Sequence, residues 1–396
     1  MNPKYRQLFN DNFTVAKYEA MQDDITADFD YKVTFRIGET PFFIPNSLKT
    51  QLLEGCQEVI NFIQKEDFKL LTDRALELNR KVPNEDNHTT FLAVDFGICE
   101  EDGEIVPKLI EVQGFPSLFN FQSHLSQKFV NHYSFLSELT PFLSGLNPDS
   151  YLKLIEEVIC NDFPKANVIL LEIEPEKQNT KIDFYYCRQD IGIPIVCVTE
   201  LYEKQNQLFY RNEQGEETQV KRIYNRVIFD ELDLRTDLQL NFDFSSDIDV
   251  EWAGHPNWFF RISKFILPYL KGKYFIETTL LSDLKEIPQD LENYVLKPLF
   301  SFSGTGVVFN IQKGDIEAVK EKDLYILQKK VNYIPIIQSP DGKVKAEVRI
   351  LFVWPKDAKD PIPVTNLVRM SRGEMIGVKF NKDKDWVGGT IGMFEK

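Results

Sequence analysis

The chain has 396 residues, 43% of them hydrophobic and 27% charged, with a formal net charge of −15 at pH 7. That size and balance give a globular chain with room for two or three domains. The acidic excess argues against duplex nucleic acid as a partner, because phosphates demand clustered Lys and Arg.

The cysteines Cys56, Cys99, Cys160, Cys187 and Cys197 are odd in number and lack CxxC spacing. A disulfide framework or zinc site is therefore not expected, and a reducing compartment is. The opening MNPKYRQLFNDNF has no apolar signal-peptide core, and no apolar run reaches membrane-spanning length. The expectation is a cytoplasmic protein with no membrane attachment.

In chain order, residues 47–65 set Leu52, Leu53, Cys56, Val59, Ile60 and Ile63 at helical spacing, with Ser47 as N-cap. Residues 66–80 continue as a second helix. Residues 89–97 and 106–113 read as two strands of a hairpin around EEDGE. In KLIEVQG, Glu111 and Gln113 stand two apart and share a strand face, and FLAVDFG sets Asp95 in a similar apolar run. Three oxygen-bearing side chains suit Mg²⁺; the other reading is the wet face of an antiparallel hairpin.

Residues 120–138 read as a helix, and LSGLNPDS marks a boundary near 145–150. Residues 151–230 then alternate helix and strand, as a small parallel α/β unit does. The stretch 238–249 reads as a linker or lid. From 255 the pattern turns α+β. The amphipathic helix NWFFRISKFILPYL comes first, then a short strand at YFIET, and then NYVLKPLF leading through SFSGTG into the returning strand VVFNI. Three further strands follow, and Gly388–Gly389 suggest a close backbone approach.

Lys297 ends a strand and is followed by small residues including Ser303, Gly304, Thr305 and Gly306. Such a loop turns backbone N–H groups toward phosphate oxygens, or is simply a hairpin turn. Lys264 lies upstream on a helix, Gln328 has a place to face an adenine edge, and Glu347 and Arg349 share a strand face. Arg369 and Asn381 come last. The four histidines show no ligand spacing and read as structural, with His255 at a helix start.

This order of motifs resembles the circularly permuted ATP-grasp proteins, the glutathionylspermidine synthetase-like carboxylate–amine ligases. Asp95 and Glu111-Val112-Gln113 come early, the α/β unit with RIYNRV follows, and the lysines come last; the resemblance covers roughly 85–392. It implies a mixed α/β and α+β chain, with an ATP-grasp fold in permuted order and a pre-ATP-grasp, Rossmann-like α/β domain. The expected divisions are a helical region at 1–84, the metal half at 85–150, the α/β domain and linker at 151–250, and the nucleotide half at 251–396. It further implies an ATP- and Mg²⁺-dependent ligase that joins a small carboxylate to an amine through an acyl phosphate. Asp95, Glu111 and Gln113 would hold metal. Lys264, Lys297, Ser303, Gly304, Thr305, Gly306, Gln328 and Asn381 would hold ATP, and Arg349, Arg369 and Arg226 would serve catalysis. Three departures stand out: Ala93 where the family has Arg, Gln113 where it has Asn, and a loop with fewer glycines. They keep open a catalytically degenerate ATP-binding sensor or scaffold, and beyond it a purely structural α/β protein.

Overall fold

The computed structural model describes residues 1–77, 81–300, 306–373, 381 and 384–396. Its central antiparallel sheet joins the two ends of the chain. The strand order is Gly388–Thr390, Ile362–Ser371, Gly342–Val353, Phe91–Glu101, Glu104–Gln113, with Ile337–Ser339 also pairing to Gly342–Val353. Strand Phe91–Glu101 thus lies beside Gly342–Val353, in a register that sets Asp95 opposite Arg349 and Gly97 opposite Glu347.

Period-two alternation divides the work of these strands. Leu92, Val94, Phe96 and Ile98, with Val344, Ala346, Val348, Ile350 and Phe352, point into the main core, which also holds Phe9, Met21 and Ile25 from the first two helices. On the other face, Phe91, Ala93, Leu351 and Val353 pack against the α/β unit. Further along that same face the residues become Asp95, Glu347 and Arg349, so the sheet leaves one core and opens onto a polar rail.

The α/β unit is a four-stranded parallel sheet in the order Glu251–Ala253, Arg222–Asn225, Val168–Glu172, Ile195–Cys197. The chain runs from Val168–Glu172 to one side and later returns on the other. A crevice therefore forms beyond the carboxyl ends of Val168–Glu172 and Arg222–Asn225, where such sheets place their ligands. A small antiparallel sheet, Thr278–Leu280, Tyr325–Lys329, Tyr294–Pro298, forms a lobe with its own core of Leu281, Leu296, Ile311, Ile316 and Leu327.

The structure departs from the sequence expectations at several places. Helix Asn46–Ile63 starts one residue before Ser47 and is preceded by Pro45, whose fixed φ suits that entry, so Ser47 is not its cap. The single amphipathic helix expected from Asn257 is split into Asn257–Arg261 and the 3-10 turn Lys264–Tyr269. Ser263 breaks it by capping Phe265 N–H (3.2 Å), and Pro268 keeps the second piece from continuing as α-helix. The strand expected at YFIET lies later, at Thr278–Leu280, and the returning strand VVFNI is reduced to one bridge between Leu296 and Val308.

Candidate functional site

The edge strand Glu104–Gln113 is covered by the segment that follows Arg261, as an edge carrying unpaired backbone groups requires. Gly114 N–H donates to Ile262 O (2.9 Å), and Leu109 N–H to Tyr274 O (2.8 Å). Gly114 permits this approach: a Cβ there would lie 2.5 Å from the Trp258 carbonyl oxygen. The docked segment brings Lys264 onto the strand, with its Nζ 2.7 Å from Glu111 Oε1. Burial drives the Glu111 carboxyl upward, but Lys264, Arg349 and Arg369 together outweigh it and hold it at about 2.

Lys297, on the small lobe, stands close enough to Glu111 and Lys264 for their charges to act on it. Burial pushes its ammonium down to about 8, against the pull of Glu111. Its Nζ donates to Gln328 Oε1 (2.6 Å), and Gln328 Nε2 donates to Thr278 Oγ1 (3.0 Å). Gln328 therefore orients the lysine. Glu111, Gln113, Lys264, Leu299 and Phe300 line a common pocket of about 20 Å³, in which Gln113 Oε1 is buried with no hydrogen-bond partner.

Asp95 stands opposite Glu111 on the hairpin and is buried. Arg349 clamps it through Nε and Nη2 (2.6 and 2.7 Å), and Arg369 Nη2 takes the second oxygen at 2.6 Å. Arg369 also pairs with Glu347 (2.9 Å), which accepts from the Tyr333 hydroxyl. The two-pronged Arg349–Asp95 contact fixes both planar groups, and Arg369 is held through one nitrogen between Asp95 and Glu347. Tyr333 was not legible as part of the site; in the fold it stacks against Gly97, where a Cβ would meet its ring at 2.5 Å.

Arg226 lies just past strand Arg222–Asn225, at the crevice of the parallel sheet. Its guanidinium sits over the rings of Phe115 (5.1 Å) and Phe184 (5.5 Å), and Phe115 belongs to the turn that leaves Gln113. Its Nε and Nη1 are buried without hydrogen-bond partners, as are the Tyr224 hydroxyl, both side-chain amide atoms of Asn120, and Asp183 Oδ2. Burial raises the Asp183 and Glu172 carboxyls against the opposing charge of Arg226, Glu172 to about 8. Buried polar atoms are normally paired, so these are groups that water or a polar guest would satisfy.

Asn381 Oδ1 accepts from Ser371 Oγ (3.1 Å) and from the N–H groups of Arg372 and Gly373 (3.1 and 3.2 Å), tying the turn after the Arg369 strand. Gly306 has φ +75° and stands close to Pro298, a turn that glycine makes without strain. Ser303, Gly304 and Thr305 lie outside the described residues. His255 accepts from Asn257 N–H (3.2 Å) at the helix start, and burial takes its imidazole down to about 4. Among the described residues no group of three His, Cys, Asp or Glu could hold a metal ion, and no helix is long and apolar enough to cross a membrane.

No family model matches the chain, and no curated protein matches it. Among solved structures, its fold is similar to a glutathione synthetase-like effector from Globodera pallida in apo form. The TM-score is 0.57 at 11% sequence identity, over 96% of this chain and 96% of that one. At that identity the likeness is one of fold: a mixed α/β chain of glutathione synthetase-like architecture, consistent with an ATP-grasp-like arrangement. Coverage of 96% takes in most of residues 1–84, which the sequence motifs left unmatched.

Proposed function

We propose that this chain is an ATP- and Mg²⁺-dependent carboxylate–amine ligase built on a circularly permuted ATP-grasp fold. One observation carries the reading: Glu111, from the early hairpin, and Lys264, from a late segment, line one pocket, and Lys297 stands within electrostatic reach of both. The two lysines suit a polyphosphate, and Lys297 in particular is a buried cation that an anionic guest would relieve. Glu111 and the unpartnered Gln113 Oε1 fit Mg²⁺, which takes one or two protein oxygens and leaves its other positions to phosphate and water. Asp95 fits that role less well, because both of its oxygens are spent on Arg349 and Arg369. We assign it instead to aiming those two guanidinium groups.

When bound, the metal would neutralise phosphate charge. This chain's own residues supply the rest. Lys264 and Lys297 would grip the phosphates, and Arg349 and Arg369 would stabilise charge spreading onto the transferred group, the part that Ala93 does not play. Arg226, with two free donors at the mouth of the parallel sheet, would hold the substrate carboxylate. The reaction class is phosphorylation of a carboxylate to an acyl phosphate, followed by displacement of phosphate by an amine.

The test incubates the protein with ATP, Mg²⁺ and pooled amino acids, short peptides and polyamines, reading ADP release and the nucleotide-dependent thermal shift. ADP release that requires both a carboxylate and an amine supports the proposal. The absence of both ADP release and a thermal shift would sink it, and a shift without ADP would replace the ligase by an ATP-binding sensor.

A further inference from the structure

A second cavity, of about 230 Å³, opens between the edge of the parallel sheet and the far end of the central sheet. Asp86, Arg222, Glu251, Trp252, Trp354 and Lys356 form its walls. Thr90 also lines it, five residues before Asp95, so the strand rise puts it roughly 17 Å from the candidate site.

Its cations are already committed. Arg222 donates to Ile159 O (2.8 Å), Val158 O (3.0 Å) and Glu251 Oε2 (2.9 Å), and Lys356 Nζ lies 3.1 Å from Glu251 Oε1. Glu85, another wall residue, is held by Arg261 (2.7 Å) and Asn257 (2.8 Å). Asp86 differs. Its backbone carbonyl accepts from Lys69, but its carboxylate has no hydrogen bond or salt bridge among the described residues. Burial pushes that carboxyl up to about 6, Arg222 opposing. A half-buried carboxylate without a partner, facing a cavity, suits a cation. The aromatic walls, with Trp354 stacked on His88 at 4.4 Å, favour a cation with an apolar body. No trio of metal-ligating side chains stands here among the described residues.

We propose that this cavity binds a small organic ammonium ion, a mono- or diamine of a few carbons, which donates to Asp86 and lays its methylenes on Trp252 and Trp354. The site is independent of the ligase reading. The test titrates the full chain with 1,4-diaminobutane, following tryptophan fluorescence and heat, with 1,4-butanediol as the uncharged control. The expected result is saturable binding of the diamine and none of the diol. Affinity should fall at least tenfold in Asp86→Asn, whose melting curve verifies folding, and stay unchanged in Lys297→Ala. Three results overturn the proposal: no saturable binding by the native chain, equal affinity in folded Asp86→Asn, or loss of binding in Lys297→Ala, which would put the diamine in the other pocket.

Discussion

Burial pushes both Lys297 and Glu111 toward their neutral forms, and only at Glu111 do the neighbouring charges outweigh it. The Lys297 ammonium is pushed from 10.5 to about 8, which at neutral pH costs the fold roughly 3 kcal/mol. Between those two values the unfolded chain holds the proton and the folded chain does not, so stability from this group rises with pH across that window. Lys297→Met removes the buried charge but strands Gln328 Oε1, so the expected gain at pH 7 is about 1–3 kcal/mol. On the proposed function, Mg²⁺-ATP should raise the melting temperature of the parent and leave that of the variant unchanged. Denaturant melts with and without nucleotide check both halves, and a less stable variant that still responds to ATP would refute the assignment. Glu111 runs the other way. Its carboxyl is lowered from 4.5 to about 2, so its contribution is fully present above pH 4.5 and disappears as pH falls toward 2. With 20% of its side chain exposed, screening trims the contribution to roughly 2 kcal/mol. Glu111→Gln should therefore unfold more easily at pH 7 and differ little from the parent near pH 2, as urea melts at the two pH values would reveal.

At the scale of elements, the decisive contact is strand Glu104–Gln113 against the broken helix after Asn257. Gly114→Ala would drive a methyl into the Trp258 carbonyl, at 2.5 Å in the present backbone, and push aside the piece that carries Lys264. The expected outcome is a folded protein, with Mg²⁺-ATP affinity down by about tenfold, or about 1.4 kcal/mol, measured by calorimetry. Unchanged affinity would mean that Lys264 is positioned by something else. The hairpin, the parallel unit and the Lys297 strand were legible because alternation and helical spacing are local signals. The break at Ser263 was not, because the apolar spacing of residues 257–270 continues across it while the competing Ser263 cap and the Ile262–Gly114 bond depend on context. Neither was the clamp on Asp95: Arg349 lies 254 residues away along the chain, and nothing in either stretch names its partner. Gln328 stood out as a polar residue in a strand, but its role of fixing Lys297 follows from a cross-strand register that appears only in the folded lobe.

For the whole molecule, the functional unit is defined by which strands are neighbours, and the chain order is secondary to it. The two ends of the chain meet: Asn2 Nδ2 donates to Glu395 Oε1 at 2.7 Å, and Phe42–Phe43 pairs in parallel with Gly392–Met393. The connection between Leu143 and Pro148 is exposed at Ser144, Gly145 and Asn147, and Gly145 there has φ +70° with open space around it. Such a loop tolerates new termini, since few contacts cross it. A chain opened at Gly145 and closed from Lys396 to Met1 by a short Gly/Ser linker would run from the α/β unit, through the lysine lobe, to the acidic hairpin. It keeps every strand pairing of the central sheet. The permuted protein is expected to melt within a few degrees of the parent and to keep its thermal response to Mg²⁺-ATP, because closing one short loop and opening another changes chain entropy by about 1 kcal/mol. If it folds but loses that response, the meeting of Glu111 with Lys264 and Lys297 depends on the native chain order, and the ligase reading loses its structural basis.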